Sequence, residues 1–182
     1  MKRSVMSLIL VSATMLVAQT AGPSGTIFLV RHAEKVSDAQ DALLSKTGEQ
    51  RATCLAQTLR DAHVGAIYVT DVKRAQQTAE PLAKELGIQP IILKADDSDT
   101  LVSKVKQNLS SRNVLVVGHS DTLPKVLSQL GITSAPAIGH NDYDLLFMVS
   151  DAEMKPELTV LHYCPASNPT PSKQTEEMRR MR

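Results

Sequence analysis

Four times before Gly131 a short apolar run gives way to a stretch with helical spacing, and this alternation limits the chain to few folds. The runs lie at residues 27–30, 66–70, 88–95 and 113–119. Between them, apolar residues recur at helical intervals: Leu55, Ala56 and Leu59; Ala75, Ala79, Leu82 and Ala83; Leu101, Val102, Val105 and Leu109; then Leu123, Val126, Leu127 and Leu130. Strands apolar on both faces belong inside a parallel sheet. The pattern therefore predicts an α/β fold, a three-layer αβα sandwich whose right-handed crossovers leave few topologies. Past Gly131 two strand-like runs follow each other, 143–150 and 158–164, so a hairpin should add an antiparallel edge.

Local signals punctuate these elements. Thr47 and Gln50 have capping-box spacing and predict the start of the first helix. Gly87 and Gly131 read as helix stops, and Asp96, Asp97 and Ser98 offer caps for the third helix. The fourth should begin at Ser120 or Asp121. Pro81 falls inside the second helix and is expected to kink or restart it, since proline removes a backbone donor.

The two ends differ from the middle. Lys2 and Arg3 precede an apolar segment at 5–18, followed by small or polar residues, so residues 1–21 read as a signal peptide cleaved between Ala18 and Ala21. The expectation is an exported protein, periplasmic or secreted, whose folded domain spans 22–165. Residues 166–182 are rich in Pro, Ser, Thr and charge and read as a disordered tail. Lys plus Arg number 20 against 19 for Asp plus Glu, so +1 becomes −1 when Lys2 and Arg3 leave. No overall field favours nucleic acid or a membrane surface, and no other stretch approaches the roughly 18 apolar residues of a membrane span. Cys54 and Cys164 are the two cysteines; they can pair in an oxidising compartment or remain independent thiols.

Chemistry collects at the carboxyl ends of the strands, where ligands bind in open α/β sheets. The first run ends in Arg31 and His32, Lys73 and Arg74 follow the second, and the fourth ends in Gly118, His119 and Ser120. Singly, each has a bland reading as a loop histidine or a solvated surface charge. Together they make an anion pocket: guanidinium forks match phosphoryl oxygens in pairs, and a helix amino terminus adds backbone donors. The five histidines show neither HExxH nor paired Cys/His spacing, which argues against zinc.

VRHAEK, IYVTDVKRAQQTAEPLA and VLVVGHSDT together resemble the histidine phosphatase superfamily, also called phosphoglycerate mutase-like proteins, over residues 26–163. The resemblance implies that His32 is the nucleophile and that Arg31, Arg74 and His119 form the phosphate pocket, with no cofactor and no metal. Ala33 stands where the family's first motif has Gly, a methyl group expected to narrow the backbone's approach to phosphate. For the general acid, Asp121 is favoured, with Asp96, Asp97 and Asp99 as other candidates; Glu34, Lys35, Asp142, Tyr143 and Asp144 are expected at the entrance. The implied activity is an exported phosphatase acting on a small phosphorylated substrate or a phosphoprotein. A phosphate-binding protein without turnover and a phosphate-transferring mutase are the alternatives.

Overall fold

The computed structural model describes residues 25–109, 112–150 and 155–164. The expected signal peptide and the whole of the expected tail lie outside the described residues. β1 (Ile27–Arg31) is buried along its whole length. It pairs in parallel with β4 (Asn113–Gly118), which pairs with β2 (Val64–Thr70), which in turn pairs with β3 (Ile91–Leu93). On its other side β1 pairs antiparallel with β5 (Leu145–Ser150), and β6 (Glu157–His162) closes the sheet as the expected hairpin. The order is β3-β2-β4-β1-β5-β6.

Successive strand residues point to opposite faces, so each strand feeds two cores. Ile27, Leu29, Val114, Val116 and Phe147 pack with Val105 and Leu109 of α3 (Ser98–Leu109) and Leu123 and Leu127 of α4 (Thr122–Gln129). Phe28, Val30, Leu115 and Val117 pack with Leu55 and Leu59 of α1 (Lys46–Leu59) and Ala79 and Leu82 of α2 (Lys73–Leu86). This is the three-layer sandwich expected from the apolar runs. No helix among the described residues is long and apolar enough to cross a membrane.

Some boundaries differ, each for a local reason. α1 is capped by Ser45, whose side chain accepts from the Gly48 amide, so Thr47 lies inside the helix and not at its cap. Gly48 also lets the helix approach the preceding loop: a Cβ there would sit 2.2 Å from the Glu34 carbonyl oxygen. β3 shrinks to three residues because the helix end consumes its lead-in; Gly87 turns left-handed (φ 65°) and the Ile88 amide bonds back to Ala83. α2 runs through Pro81 without restarting. Buried Ala75, Thr78, Ala79, Leu82 and Ala83 pin the helix on both sides of the proline, and that packing outweighs one missing hydrogen bond.

The cysteines are paired. Cys54 on α1 is disulfide-bonded to Cys164, just beyond β6, across a sequence separation of 110. Cross-linking so long a loop restricts the unfolded chain strongly. Replacing both cysteines by serine should lower unfolding stability by about 3 kcal/mol. Urea unfolding of the oxidised protein and the double variant measures this, and coincident curves would contradict it.

Candidate active site

The β1–β4 pairing sets the geometry. Arg31 lies opposite Gly118, and the His32 amide extends the ladder by donating to the Gly118 carbonyl at 2.9 Å. His32 and His119 therefore leave adjacent strands at the same level, and their rings meet edge-on with centroids 5.2 Å apart. One strand further, Thr70 ends β2 and its Oγ1 is hydrogen-bonded to His119 Nε2 at 2.9 Å. Arg74, in the first turn of α2, donates from Nη1 to the Gln40 carbonyl at 2.6 Å. Arg31, His32 and His119 are all buried.

The protonation of His32 follows from its partner. Its Nδ1 lies 2.7 Å from the Ala33 carbonyl oxygen, which can only accept, so Nδ1 carries the hydrogen and Nε2 presents a lone pair. The Ala33 amide donates to Thr78 Oγ1 at 2.9 Å, and the Ala33 methyl packs with Leu44 and Ala52. The extra methyl is thus absorbed by a small apolar cluster, contrary to the expectation that it narrows the approach to phosphate.

Burial dominates the electrostatics. It depresses His32 to about 3, with the Arg74, His119 and Arg31 charges adding to the effect and the Ala33 hydrogen bond opposing it. His119 falls to about 4, by burial first and the Arg74 charge second, with Asp121 opposing. Both guanidiniums keep a buried Nε–H that has no protein partner. Two neutral imidazoles beside two cations with spare donors suit an oxyanion.

Residues 27–96 match the histidine phosphatase superfamily (branch 1). The match covers the first two motifs; His119, carried by the third, joins them through the sheet. The "Probable phosphoglycerate mutase GpmB" of Photorhabdus laumondii is 32% identical over 73 residues, 36% of this chain and 34% of that protein. The aligned segment thus spans about a third of the length of the curated relatives it matches. Among solved structures, one from Nakamurella multipartitia that carries the name SixA is 23% identical with a TM-score of 0.57, covering 80% of this chain and 99% of that one. The protein histidine phosphatase SixA complexed with tungstate is 16% identical with a TM-score of 0.60, covering 75% of this chain and 96% of that one. These structures share the histidine phosphatase fold.

The acidic candidates separate. Asp97 accepts from the Thr100 amide at the start of α3, and Asp99 accepts from Gln129, so both serve α3 and its contact with α4. Both follow β3, which β2 and β4 separate from β1. Asp96 is exposed in the same turn. Asp121 occupies the N-cap position of α4, yet its side chain makes no capping bond; Thr122 Oγ1 takes the His119 amide instead. Its carboxylate is exposed and close enough for its charge to act on His119.

The expected entrance residues also divide. Lys35 pairs with Asp38, Asp142 accepts from the Gly139 amide, and Asp144 accepts from His162. Glu34 turns from the entrance to a bidentate pair with Arg51, whose Nη1 donates to the Cys164 carbonyl at 2.8 Å. Tyr143 alone of this group reaches the site. The sequence reading missed Arg51, Thr70 and Thr78. Arg51 and Thr78 sit on the buried stripes of their helices, four residues before Leu55 and three after Ala75, and a polar residue on an apolar stripe was the available signal.

The depressed histidines make acid stability predictable. Unfolded imidazoles take up protons near the ordinary value of 6.5, the folded ones only near 3 and 4, so in between the unfolded state binds more protons. Their contribution is complete above about 6.5 and is lost as pH falls toward 3. Imidazole nitrogen NMR should find both rings neutral at pH 5.5, and a midpoint near 6.5 for either ring contradicts the arrangement.

Proposed function

We propose that the protein is an exported phosphatase that hydrolyses a phosphomonoester or phosphohistidine through a phosphohistidine intermediate on His32. The observation that carries this reading is the tautomer of His32. With Nδ1 donating to Ala33, Nε2 is the nucleophilic atom, and it sits among Arg31, Arg74 and His119.

In the first step the Nε2 lone pair attacks phosphorus in line as the bond to the leaving oxygen breaks, and the ring's positive charge is stabilised by the Ala33 carbonyl. Arg31, Arg74 and His119 hold the equatorial oxygens. Asp121 gives its proton to the leaving oxygen. It then takes one from the water that attacks the phosphohistidine, regenerating the neutral ring and releasing phosphate. Its freedom from capping and its proximity to His119 support this role.

Four residues join β3 to α3 and two join β2 to α2, so these connections hold no inserted cap. That supports either a bulky small-molecule phosphate or a phosphoprotein as substrate. Export rests on the charged and apolar start of the chain, and the Cys54–Cys164 disulfide fits an oxidising compartment. The likeness to proteins named as mutases keeps phosphate transfer as the second reading.

Purified protein should release phosphate from p-nitrophenyl phosphate, and His32→Ala should bring the rate to background. Rapid quenching should trap an acid-labile, base-stable phosphoprotein. Asp121→Asn should slow an alkyl phosphate by about 10²-fold or more, and an aryl phosphate far less, because the better leaving group needs little protonation. Turnover that survives His32→Ala refutes the nucleophile. Phosphate appearing on an added alcohol and not in solution favours the mutase.

A further inference from the structure

Arg31 is held by backbone carbonyls and an aromatic face. Its guanidinium is buried, and Nη1 donates to two successive carbonyls, Gly139 at 3.0 Å and His140 at 2.8 Å. The same loop lays the Tyr143 ring over the guanidinium, Cζ 4.1 Å from the ring centroid. One edge of the fork is therefore engaged by the loop. The side-on edge, Nε–H with the adjacent Nη2–H, is left: Nε has no partner, and Nη2 makes one long contact of 3.4 Å to the Tyr143 hydroxyl.

The direction of that contact matters. A guanidinium only donates, so the phenolic oxygen accepts from Nη2 and its own hydrogen stays available. The Tyr143 ring also lies 6.0 Å from the His32 ring, centroid to centroid, so the phenol on Arg31 and the imidazole belong to one pocket. The loop is built to keep it there. Asp142 closes the turn onto the Gly139 amide at 2.8 Å, and the Asp144 carbonyl accepts from the Tyr163 amide at 2.8 Å.

Resting on the phosphatase reading above, we infer that Tyr143 is a further phosphoryl-binding residue: its hydroxyl donates to an equatorial oxygen held on the Nε/Nη2 edge of Arg31, while its ring fixes that edge. The phosphoryl pocket then draws on β1, α2, the end of β4 and the loop before β5. A substrate needs an oxygen placed to meet both the phenol and the guanidinium, as an equatorial oxygen of a phosphoryl group is.

Tungstate serves as the probe, measured by calorimetry, alongside steady-state turnover of p-nitrophenyl phosphate. Tyr143→Phe keeps the ring and removes one donor to a charged group; tungstate should bind about tenfold more weakly and kcat/KM should fall about tenfold, with the thermal midpoint unchanged. Tyr143→Leu removes the ring as well and should cost about tenfold more, since Arg31 loses its support. The chain has three tyrosines and no tryptophan, and Tyr68 and Tyr163 lie in the cores. The near-ultraviolet difference spectrum of the wild-type protein on adding tungstate therefore reports Tyr143, and should vanish in the Phe variant. Equal tungstate affinity in wild type and Tyr143→Phe, or a flat difference spectrum despite binding, overturns the phenol contact and leaves the phosphatase reading standing. A wild-type protein that binds no tungstate overturns both.

Discussion

The pairing of β1 with β4 is the interaction on which the rest depends. Because two parallel strands run in register to Arg31 and Gly118, the residues after each strand emerge side by side. Residues 87 apart in sequence thus meet without either loop having to be long, and the His32 amide closes the arrangement by bonding to Gly118. The burial of both strands makes a register slip costly, since shifting by one residue would exchange the side chains of the two cores. Stability and site geometry are set by the same hydrogen bonds.

The large features were legible because they rest on periodicity. Strands that are apolar on both faces and helices with one apolar stripe have one economical arrangement, and the strand ends then identify Arg31, His32 and His119 without any contact information. What escaped the sequence depends on competition between neighbours. Ser45 outbids Thr47 for the helix cap because its hydroxyl reaches the Gly48 amide from extended backbone. Pro81 stays within α2 because core residues flank it. Asp97 looks like Asp121 in a sequence, each an acidic residue before a helix, yet one caps and the other does not. Arg51 stands on the buried stripe of α1, but only the fold brings Glu34 and the Cys164 carbonyl to it.

That last cluster ties Cys164 to the loop that follows β1. Arg51 is 8% exposed, and its guanidinium divides between the Glu34 carboxylate and the carbonyl of Cys164. A charge so buried needs both partners. The disulfide holds Cys164 against α1, the helix that carries Arg51, and Glu34 is one residue from Ala33, whose carbonyl fixes the His32 tautomer. The Glu34 backbone is gripped as well, its carbonyl accepting from the Ser45 amide at 2.8 Å. The position of the imidazole is therefore held through Arg51 on α1, Thr78 on α2 and the Cys164 carbonyl just beyond β6.

Burial first, and the neighbouring cations second, keep the site's histidines neutral. Two guanidiniums, buried or partly so, already face the pocket, and a protonated imidazole beside them would add a third cation in a poorly solvated place. The protein offsets part of the Arg31 charge with carbonyl dipoles and an aromatic face, which attract without neutralising. A carboxylate in their place would bind the arginine more strongly and would also repel an incoming dianion. Dipoles hold the fork in position while leaving its positive charge uncancelled, and burial together with the neighbouring cations keeps the His32 lone pair unprotonated. The partners that position Arg31 thus also leave uncancelled a charge that adds to burial in keeping His32 neutral.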